Sequence, residues 1–258
     1  MNRSIFDLTG KVAIVTGGGS GIGRRLSEGL AQFGASVVVA DINLSGSIHT
    51  VDLIAGQGGH GKAIKADVTR TEDANRMVEE TKREFGDLDI LINCAGINIP
   101  RPALEFPEED WDQILDTNLK GSFLCCQAAG KVMISQRRGK IINIASQMGL
   151  VGFPDRVPYC ASKGGVIQLT RALAVEWASY NVNVNAIAPT LTITPMAESG
   201  LKGGFGDPVF RAEFVRTIPL GRAGHPDDLV GAAVFLSSKA SDFVTGHILV
   251  VDGGRSAR

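Results

Sequence analysis

A glycine-rich turn near the amino end restricts the possible folds of this chain most strongly. Residues 11–16 form an apolar run of strand length, and the sequence G-G-G-S-G-I-G follows directly at residues 17–23. A helical pattern comes next, and a second apolar run, at residues 35–40, ends at Asp41. This order of strand, glycine turn, helix and strand is the unit that places a pyrophosphate at a helix N-terminus.

The spacing of the glycines differs from the usual dinucleotide fingerprint. The chain reads T-G-x-x-x-G-x-G, with Gly17, Gly21 and Gly23 in place of a G-x-G-x-x-G motif. Glycine suits positions where the backbone turns with positive φ or where a phosphate touches the main chain. Taken alone, the same residues also fit a plain glycine-rich loop.

Asp41 strengthens the nucleotide interpretation and indicates the cofactor. A carboxylate at the end of the second strand accepts hydrogen bonds from both ribose hydroxyls and repels a 2′-phosphate. The next residue is Ile42 rather than an arginine, so NAD is favoured over NADP. Arg24 and Arg25 could serve a 2′-phosphate, but we expect them on the exposed first turn of a helix.

A second group of residues suits proton transfer. Tyr159 and Lys163 lie four residues apart near the start of a helical segment, and Ser146 closes the strand-like run 139–146. Residues at i and i+4 share a helix face, so the ammonium should lower the phenol pKa from its usual value of about 10. Pro158 in the first helical turn would add the helix dipole to that effect. A tyrosine and a lysine at this spacing commonly lie on the solvated surface of a helix. Their catalytic interpretation therefore depends on the nucleotide motif that precedes them.

Together these motifs resemble the short-chain dehydrogenase/reductase family. The resemblance runs from Phe6 to Gly254 and also includes N-C-A-G at residues 93–96. It implies that Tyr159 is the general base or acid and that Lys163 binds the nicotinamide ribose and lowers the tyrosine pKa. It further implies that Ser146 polarises the substrate oxygen and that Asn118 holds a water in a proton relay.

The same resemblance predicts the cofactor contacts. Asp67 and Val68 correspond to the pair that contacts adenine, and Thr194 to the threonine that binds the carboxamide. Cys94 replaces the second Asn of N-N-A-G, and Thr190 replaces the Gly of P-G-x-x-x-T. The predicted NAD contacts are Gly17, Ser20, Gly21, Ile22, Gly23, Asp41, Asp67, Val68, Asn93, Ala95, Gly96, Tyr159, Lys163, Pro189, Thr192 and Thr194.

Within this family the chain is similar to dehydrogenases of sugar acids, namely gluconate 5-dehydrogenases and 2-deoxygluconate 3-dehydrogenases. The similarity is carried by E-F-P-E-E-D-W-D, G-K-I-I-N-I-A-S and the long segment that ends in V-V-D-G-G. It implies NAD-dependent interconversion of a secondary alcohol and a ketone on a small polyhydroxylated substrate. A 3-oxoacyl-carrier or steroid-type ketoreductase is the alternative enzyme, and a nucleotide-sensing protein without catalysis is the alternative of another class.

The loops after two strands supply the candidate substrate residues. Asn98 and Gln147 can hydrogen-bond hydroxyl groups, as a polyol chain requires. Arg156, three residues before Tyr159, could hold a carboxylate in a bidentate grip and so select sugar acids. The competing interpretation is a solvated loop arginine paired with Asp155 or a nearby acid.

Composition excludes several other classes. The chain has 258 residues, of which 44% are hydrophobic, and a net charge of −1 without a basic block, so we expect no nucleic-acid partner. No apolar run approaches the roughly 20 residues that span a bilayer, and the first residues lack the apolar core of a signal peptide. The four cysteines lack C-x-x-C spacing and the four histidines lack metal-ligand spacing. These features predict a cytoplasmic protein without a metal site.

Alternation of strand-like and helix-like runs predicts the fold class. Seven strands joined by helical crossovers indicate an α/β protein, a single Rossmann-like doubly wound domain over residues 1–258 with a parallel sheet and helices on both faces. Residues 189–220 have weak periodicity and several glycines, which suggests a substrate lid. From the family we expect a homodimer or homotetramer, assembled through predicted helices Glu108–Gln136 and Pro158–Tyr180 and through the last strand.

Overall fold

The computed structural model describes residues 5–198 and 206–257. Seven strands form one sheet in the order β3-β2-β1-β4-β5-β6-β7, and every pair of neighbours is parallel. The strands are β1 (Val12–Thr16), β2 (Ser36–Asp41), β3 (His60–Lys65), β4 (Ile90–Asn93), β5 (Gly139–Ile144), β6 (Val182–Pro189) and β7 (Ile248–Val251). The predicted fold class is therefore confirmed.

Helices connect the strands and cover both faces of the sheet. They are α1 (Gly21–Gln32), α2 (Leu44–Gly56), α3 (Thr71–Phe85), α4 (Glu108–Leu115), α5 (Gly121–Gln136), α6 (Val157–Trp177), α7 (Pro195–Glu198), α8 (Pro208–Arg216) and α9 (Asp227–Ser237). Among the described residues, no helix combines the length and the apolar character that a membrane span requires.

Burial on both faces explains why the strands are almost continuously apolar. On one face Met77 of α3, Cys126 of α5 and Trp177 of α6 pack against the sheet in a single cluster. On the other face Leu26 of α1 and Val234 of α9 belong to a second cluster. Parallel sheets covered on both sides require such strands, and their carboxyl ends meet at one edge of the sheet.

The long helix predicted over Glu108–Gln136 is interrupted, and this prediction was wrong in detail. A π-helical turn at Asp116–Lys120 separates α4 from α5. The hydroxyl of Ser122 donates to the backbone carbonyl of Asn118 at 2.7 Å beside this turn. Such turns often occur at functional sites, and this one contains the predicted catalytic Asn118.

The predicted lid is described only in part. Its residues 199–205, which include Gly200, Gly203 and Gly204, lie outside the described residues. The described part contains α7 and α8, and an isolated bridge pairs Thr192 with Gly224. The lid therefore stays a prediction.

Two helical glycines provide a paired test of the packing. A Cβ on Gly130 would lie 2.7 Å from Cη2 of Trp177, whereas a Cβ on Gly231 would meet nothing within 4 Å. We expect Gly130→Ala to lower the free energy of unfolding by about 1–3 kcal/mol through overpacking. Gly231→Ala should raise it by up to about 1 kcal/mol, because alanine favours helix more than glycine does. Urea denaturation measures both, and equal effects of the two variants would contradict this account.

Candidate active site

A cavity of about 450 Å³ opens at the carboxyl edge of the sheet. Of the sixteen predicted cofactor contacts, all except Asn93 and Thr192 line it, and Ser146 lines it as well. Ten further residues line the cavity that were not predicted as site residues from sequence: Ile42, Ala66, Cys94, Ile97, Gln113, Thr117, Ile144, Ala145, Pro195 and Met196. Most of these flank a predicted residue, while Gln113 and Thr117 show the i, i+4 spacing of one helix face.

The glycine-rich turn is packed too tightly for side chains. A Cβ on Gly23 would lie 2.1 Å from the carbonyl oxygen of Gly17, and a Cβ on Gly17 would lie 2.7 Å from Cα of Ala95. Gly17 also has a φ of 65°. Helix α1 begins at Gly21, and its N-cap residue Ser20 makes no side-chain capping bond. The first N–H groups of α1 are therefore available at the cavity wall, as a pyrophosphate requires.

Asp41 lies at the end of β2, where both carboxylate oxygens are held by backbone groups. Oδ2 accepts a hydrogen bond from the N–H of Gly19, and Oδ1 accepts one from the N–H of Asn43, both at 2.9 Å. Each oxygen keeps a further lone pair, and the residue lines the cavity. The carboxylate of Asp41 is thus fixed in orientation and can accept hydrogen bonds from the ribose hydroxyls.

The two arginines near the turn make contacts outside the cavity. Arg24 is half-buried rather than exposed as expected, because its guanidinium donates to the Gly19 carbonyl and its Nε donates to Oγ1 of Thr50 at 3.2 Å. Arg25 forms an ion pair with Asp227 at the start of α9. Neither arginine lines the cavity.

Tyr159, Lys163 and Ser146 lie together on the cavity wall. Helix α6 begins at Val157 with Pro158 in its first turn, which confirms the expected start of the helix. Nζ of Lys163 lies 5.7 Å from the centroid of the Tyr159 ring and donates to the Ile144 carbonyl at 2.8 Å. This hydrogen bond ties α6 to the end of β5.

The pKa of Tyr159 moves in the direction opposite to the one expected from sequence. Burial raises this pKa to about 12, and a hydrogen bond from the Ser146 hydroxyl offsets only part of the rise. Burial also lowers the pKa of Lys163 to about 8. Desolvation disfavours the charged form of each group and is the largest cause of both shifts.

Cys94 forms part of the same wall, at the position where the family motif has asparagine. Its backbone N–H donates to Oγ1 of Thr16 at 3.1 Å. Burial raises the pKa of its thiol to about 12, so the thiol remains protonated and unreactive at neutral pH. The substitution thus retains the backbone geometry without adding a nucleophile.

Asn118 is fully buried and does not line the cavity. Its Oδ1 accepts from the N–H of Ile97 at 2.8 Å, and its Nδ2 donates to the Ile97 carbonyl at 2.9 Å and to Oγ of Ser162 at 3.1 Å. Both amide protons are therefore used. The side chain fixes Ile97, which does line the cavity, and the proton-relay role of Asn118 stays a prediction.

Asn93 and Thr192 support the cavity from outside. Nδ2 of Asn93 donates to Oδ1 of Asn143 at 2.9 Å in the buried layer between β4 and β5. Oγ1 of Thr192 donates to the Thr190 carbonyl at 3.1 Å, and the N–H of Ile193 donates to the Gly224 carbonyl at 2.9 Å. The backbone after β6 is therefore fixed by residue 224, despite Thr190 at the usual glycine position.

The three candidate substrate residues are buried or partly buried outside the cavity lining. Gln147 is 1% exposed, and neither Oε1 nor Nε2 of its side chain has a hydrogen-bond partner. Oδ1 of Asn98 is likewise buried without a partner. Arg156 is 1% exposed rather than solvated, and its Nη1 donates to the backbone carbonyl of Asp155 at 2.9 Å.

Comparison with known proteins gives matches along almost the whole chain. A family model described as enoyl-(acyl carrier protein) reductase matches residues 17–256. An NAD-dependent glycerol dehydrogenase of Listeria innocua is 40% identical over 251 residues, covering 96% of this chain and 95% of that protein. A 2-dehydro-3-deoxy-D-gluconate 5-dehydrogenase of Escherichia coli is 43% identical over 260 residues, covering 100% of both chains.

A solved structure has the same fold. The crystal structure of a gluconate 5-dehydrogenase from Burkholderia cenocepacia, in complex with NADP and tartrate, superposes with a TM-score of 0.92. Its sequence is 36% identical, and the match covers 98% of each chain. The fold and the order of its elements are thus shared along the chain.

The buried Lys163 should make stability depend on pH in a defined direction. Its pKa is 10.5 in a model peptide and about 8 in the folded protein. Between these values the unfolded chain binds a proton that the folded chain does not, so the Lys163 contribution to the free energy of unfolding grows as pH rises. We expect the wild type to gain roughly 2–3 kcal/mol relative to Lys163→Met between about pH 7 and pH 10. Urea denaturation without cofactor measures this, and a constant difference would contradict it.

Proposed function

This chain belongs to the short-chain dehydrogenase/reductase family, and on that premise we propose that it is an NAD-dependent dehydrogenase of a small polyhydroxylated substrate. It interconverts a secondary alcohol and a ketone. The observation that carries the proposal is the placement of Ser146, Tyr159 and Lys163 together on the wall of a cavity that begins at the glycine-rich turn. The turn fits a dinucleotide because its backbone is packed too closely for a Cβ at Gly23 or Gly17 and leads directly into the N-terminus of α1 at the cavity wall.

In the proposed mechanism the protein positions the reactants and moves one proton. The nicotinamide ring supplies the hydride chemistry when bound. Oγ of Ser146 donates a hydrogen bond to the substrate oxygen, and the Tyr159 oxygen takes the hydroxyl proton during oxidation. The phenolate form of Tyr159 accepts this proton and becomes a neutral phenol. Lys163 stabilises that phenolate by its charge before the transfer and would hold the nicotinamide ribose. In the reduction direction the same tyrosine returns the proton.

NAD is the proposed cofactor because of the charges near β2. The fixed carboxylate of Asp41 lines the cavity, and a 2′-phosphate beside it would be repelled. Arg24 and Arg25 are engaged by the Gly19 carbonyl and by Asp227, so a 2′-phosphate would have to displace existing contacts to reach them. The glycerol dehydrogenase relative is NAD-dependent, whereas the solved gluconate 5-dehydrogenase holds NADP, which makes a direct comparison of cofactors the necessary test.

The proposed substrate class is a polyol, sugar or sugar acid. Gln147 follows Ser146 directly, and its buried amide has both a donor and an acceptor without partners. Neither Gln147 nor Asn98 lines the cavity, so a substrate hydroxyl would reach the amide of Gln147 or Oδ1 of Asn98 through a local rearrangement of these loops and would then satisfy a buried polar atom. An acyl chain of the alternative ketoreductase function has no hydroxyl groups with which to satisfy these polar atoms.

Within this class, a substitution of Arg156 distinguishes a sugar-acid substrate from a neutral polyol. A carboxylate clamp requires its guanidinium to turn from the Asp155 carbonyl toward the substrate. If the clamp forms, Arg156→Ala will lower kcat/KM selectively for gluconate compared with threitol. An equal change in kcat/KM for gluconate and threitol would instead indicate that the substrate is a neutral polyol.

We further propose that the protein is a cytoplasmic homodimer or homotetramer with a lid in residues 189–220. Its four cysteines are free thiols, as a reducing compartment would keep them. Phe123 of α5 and Val175 of α6 expose 40% and 83% of their surface, which suits an interface through these helices. Light scattering that gives a monomer near 27.2 kDa would contradict the assembly.

The catalytic proposal predicts the behaviour of Tyr159→Phe. Because only the hydroxyl is removed, turnover should fall by at least about a hundredfold while NAD binding persists. NADH fluorescence on glycerol, threitol, gluconate and a 3-hydroxyacyl thioester measures turnover, and calorimetry measures NAD binding. Residual turnover above about one per cent would place the proton-transfer role on another group.

The cofactor proposal predicts a preference that depends on Asp41. The wild type should use NAD with at least about tenfold higher kcat/KM than NADP, which corresponds to about 1.4 kcal/mol. Asp41→Ala should narrow the ratio by removing the repulsion. Asp52→Ala, in the part of α2 away from the cavity, serves as the control. Comparable efficiencies of the wild type with both cofactors would refute the preference.

A further inference from the structure

The carboxyl-terminal residues form a compact turn seated on the segment that follows α8. The carboxylate of Asp252 accepts hydrogen bonds from the N–H of Gly254 at 2.9 Å and from the N–H of Ser256 at 2.7 Å. The N–H of Leu220 donates to the Gly253 carbonyl at 3.1 Å. A Cβ on Gly253 would lie 2.7 Å from Cγ2 of Ile218, so the two segments touch directly.

This turn places Arg255 over an aromatic ring of α8. The guanidinium carbon of Arg255 lies 5.5 Å from the centroid of the Phe214 ring, within the range of a cation–π contact. Nε of Arg255 is buried without a hydrogen-bond partner, and Phe214 is 5% exposed. Stacking on Phe214 is therefore the contact that accounts for the buried end of this arginine.

Phe214 connects α8 to the wall behind the catalytic tyrosine. Its ring packs edge-on against Phe153, with centroids 5.6 Å apart. The cluster that contains Phe214 also packs against Tyr159 of α6 and Ala197 of α7. Met196, the neighbour of Ala197, lines the cavity. A shift of α8 would therefore change the substrate end of the cavity.

The nucleotide end of the cavity depends on other elements. Gly17 directly follows β1, Gly21 begins α1 and Asp41 ends β2, and none of these residues belongs to the cluster around Phe214. A change in α8 would thus reach the substrate end and leave the adenosine end in place.

We propose that Arg255 is a positioning residue for the substrate end of the site, acting through Phe214 and α8. The kinetic part of this inference rests on the proposed function. Loss of the guanidinium frees α8 from the carboxyl-terminal turn, so the substrate pocket is formed in a smaller fraction of molecules. The substrate KM then rises, while NAD binding is unchanged.

The experiment compares Arg255→Met with Arg137→Met. Arg137 also stacks on an aromatic ring, 6.0 Å from the centroid of Tyr180, but at the far ends of α5 and α6. We expect Arg255→Met to raise the KM of the polyol substrate about threefold to tenfold and to leave the NAD dissociation constant unchanged. Hydrogen exchange of the amides at residues 208–216 should accelerate in this variant. Arg137→Met should change none of these quantities.

A conservative variant separates stacking from charge. Arg255→Lys keeps the charge without the planar group, so its KM should lie between those of the wild type and Arg255→Met. It also provides a folded variant if Arg255→Met does not fold. The proposal is overturned by an unchanged KM, by an equal loss of NAD affinity, or by unchanged exchange in α8. If the wild type oxidises no substrate, the proposed function fails, and hydrogen exchange alone then decides the role of Arg255.

Discussion

The hydrogen bond from Nζ of Lys163 to the Ile144 carbonyl is the contact on which the rest of the site depends. It joins the first turns of α6 to the last residue of β5, at 2.8 Å. The ammonium lies 5.7 Å from the centroid of the Tyr159 ring, and the Ser146 hydroxyl forms a hydrogen bond with the phenol. Burial raises the pKa of Tyr159 to about 12 and lowers that of Lys163 to about 8, so at neutral pH the phenol is neutral and the lysine is still mainly an ammonium. The protein alone thus holds a neutral phenol, and additional positive charge must come from what binds in the cavity.

Much of the fold and the nucleotide site could be predicted from sequence because both follow from short-range rules. Strands covered on both faces must be apolar, and the glycines at residues 17, 21 and 23 occupy a turn in which side chains would collide with the backbone. Asp41, Ser146 and Pro189 line the cavity because they lie at or just after the carboxyl ends of parallel strands, which meet at one edge of the sheet. In each of these cases the local sequence pattern alone indicates where the residue lies in the fold, and no distant contact needs to be known.

Other features depend on distant contacts, and the sequence pattern did not reveal them. The π turn at Asp116–Lys120 lies within a continuous helical pattern, and its consequence is the pairing of Asn118 with Ile97, 21 residues earlier. The rise in the Tyr159 pKa comes from burial by the assembled fold, whereas the i, i+4 spacing suggested the opposite shift. Asn93 lies in a recognisable motif, yet its side chain supports the sheet through Asn143 and does not line the cavity. In each case tertiary packing decided the outcome.

The most direct test of this account is a titration of the Tyr159 phenol with and without NAD. The chain has two tyrosines, so Tyr180→Phe leaves Tyr159 as the single phenol, and its phenolate absorbance can be followed against pH. Without cofactor we expect the pKa of Tyr159 to be about 12. With NAD bound, the positive charge of the nicotinamide should lower the midpoint by about two pH units or more. An ordinary midpoint near about 10 without cofactor, or no shift on addition of NAD, would contradict the account.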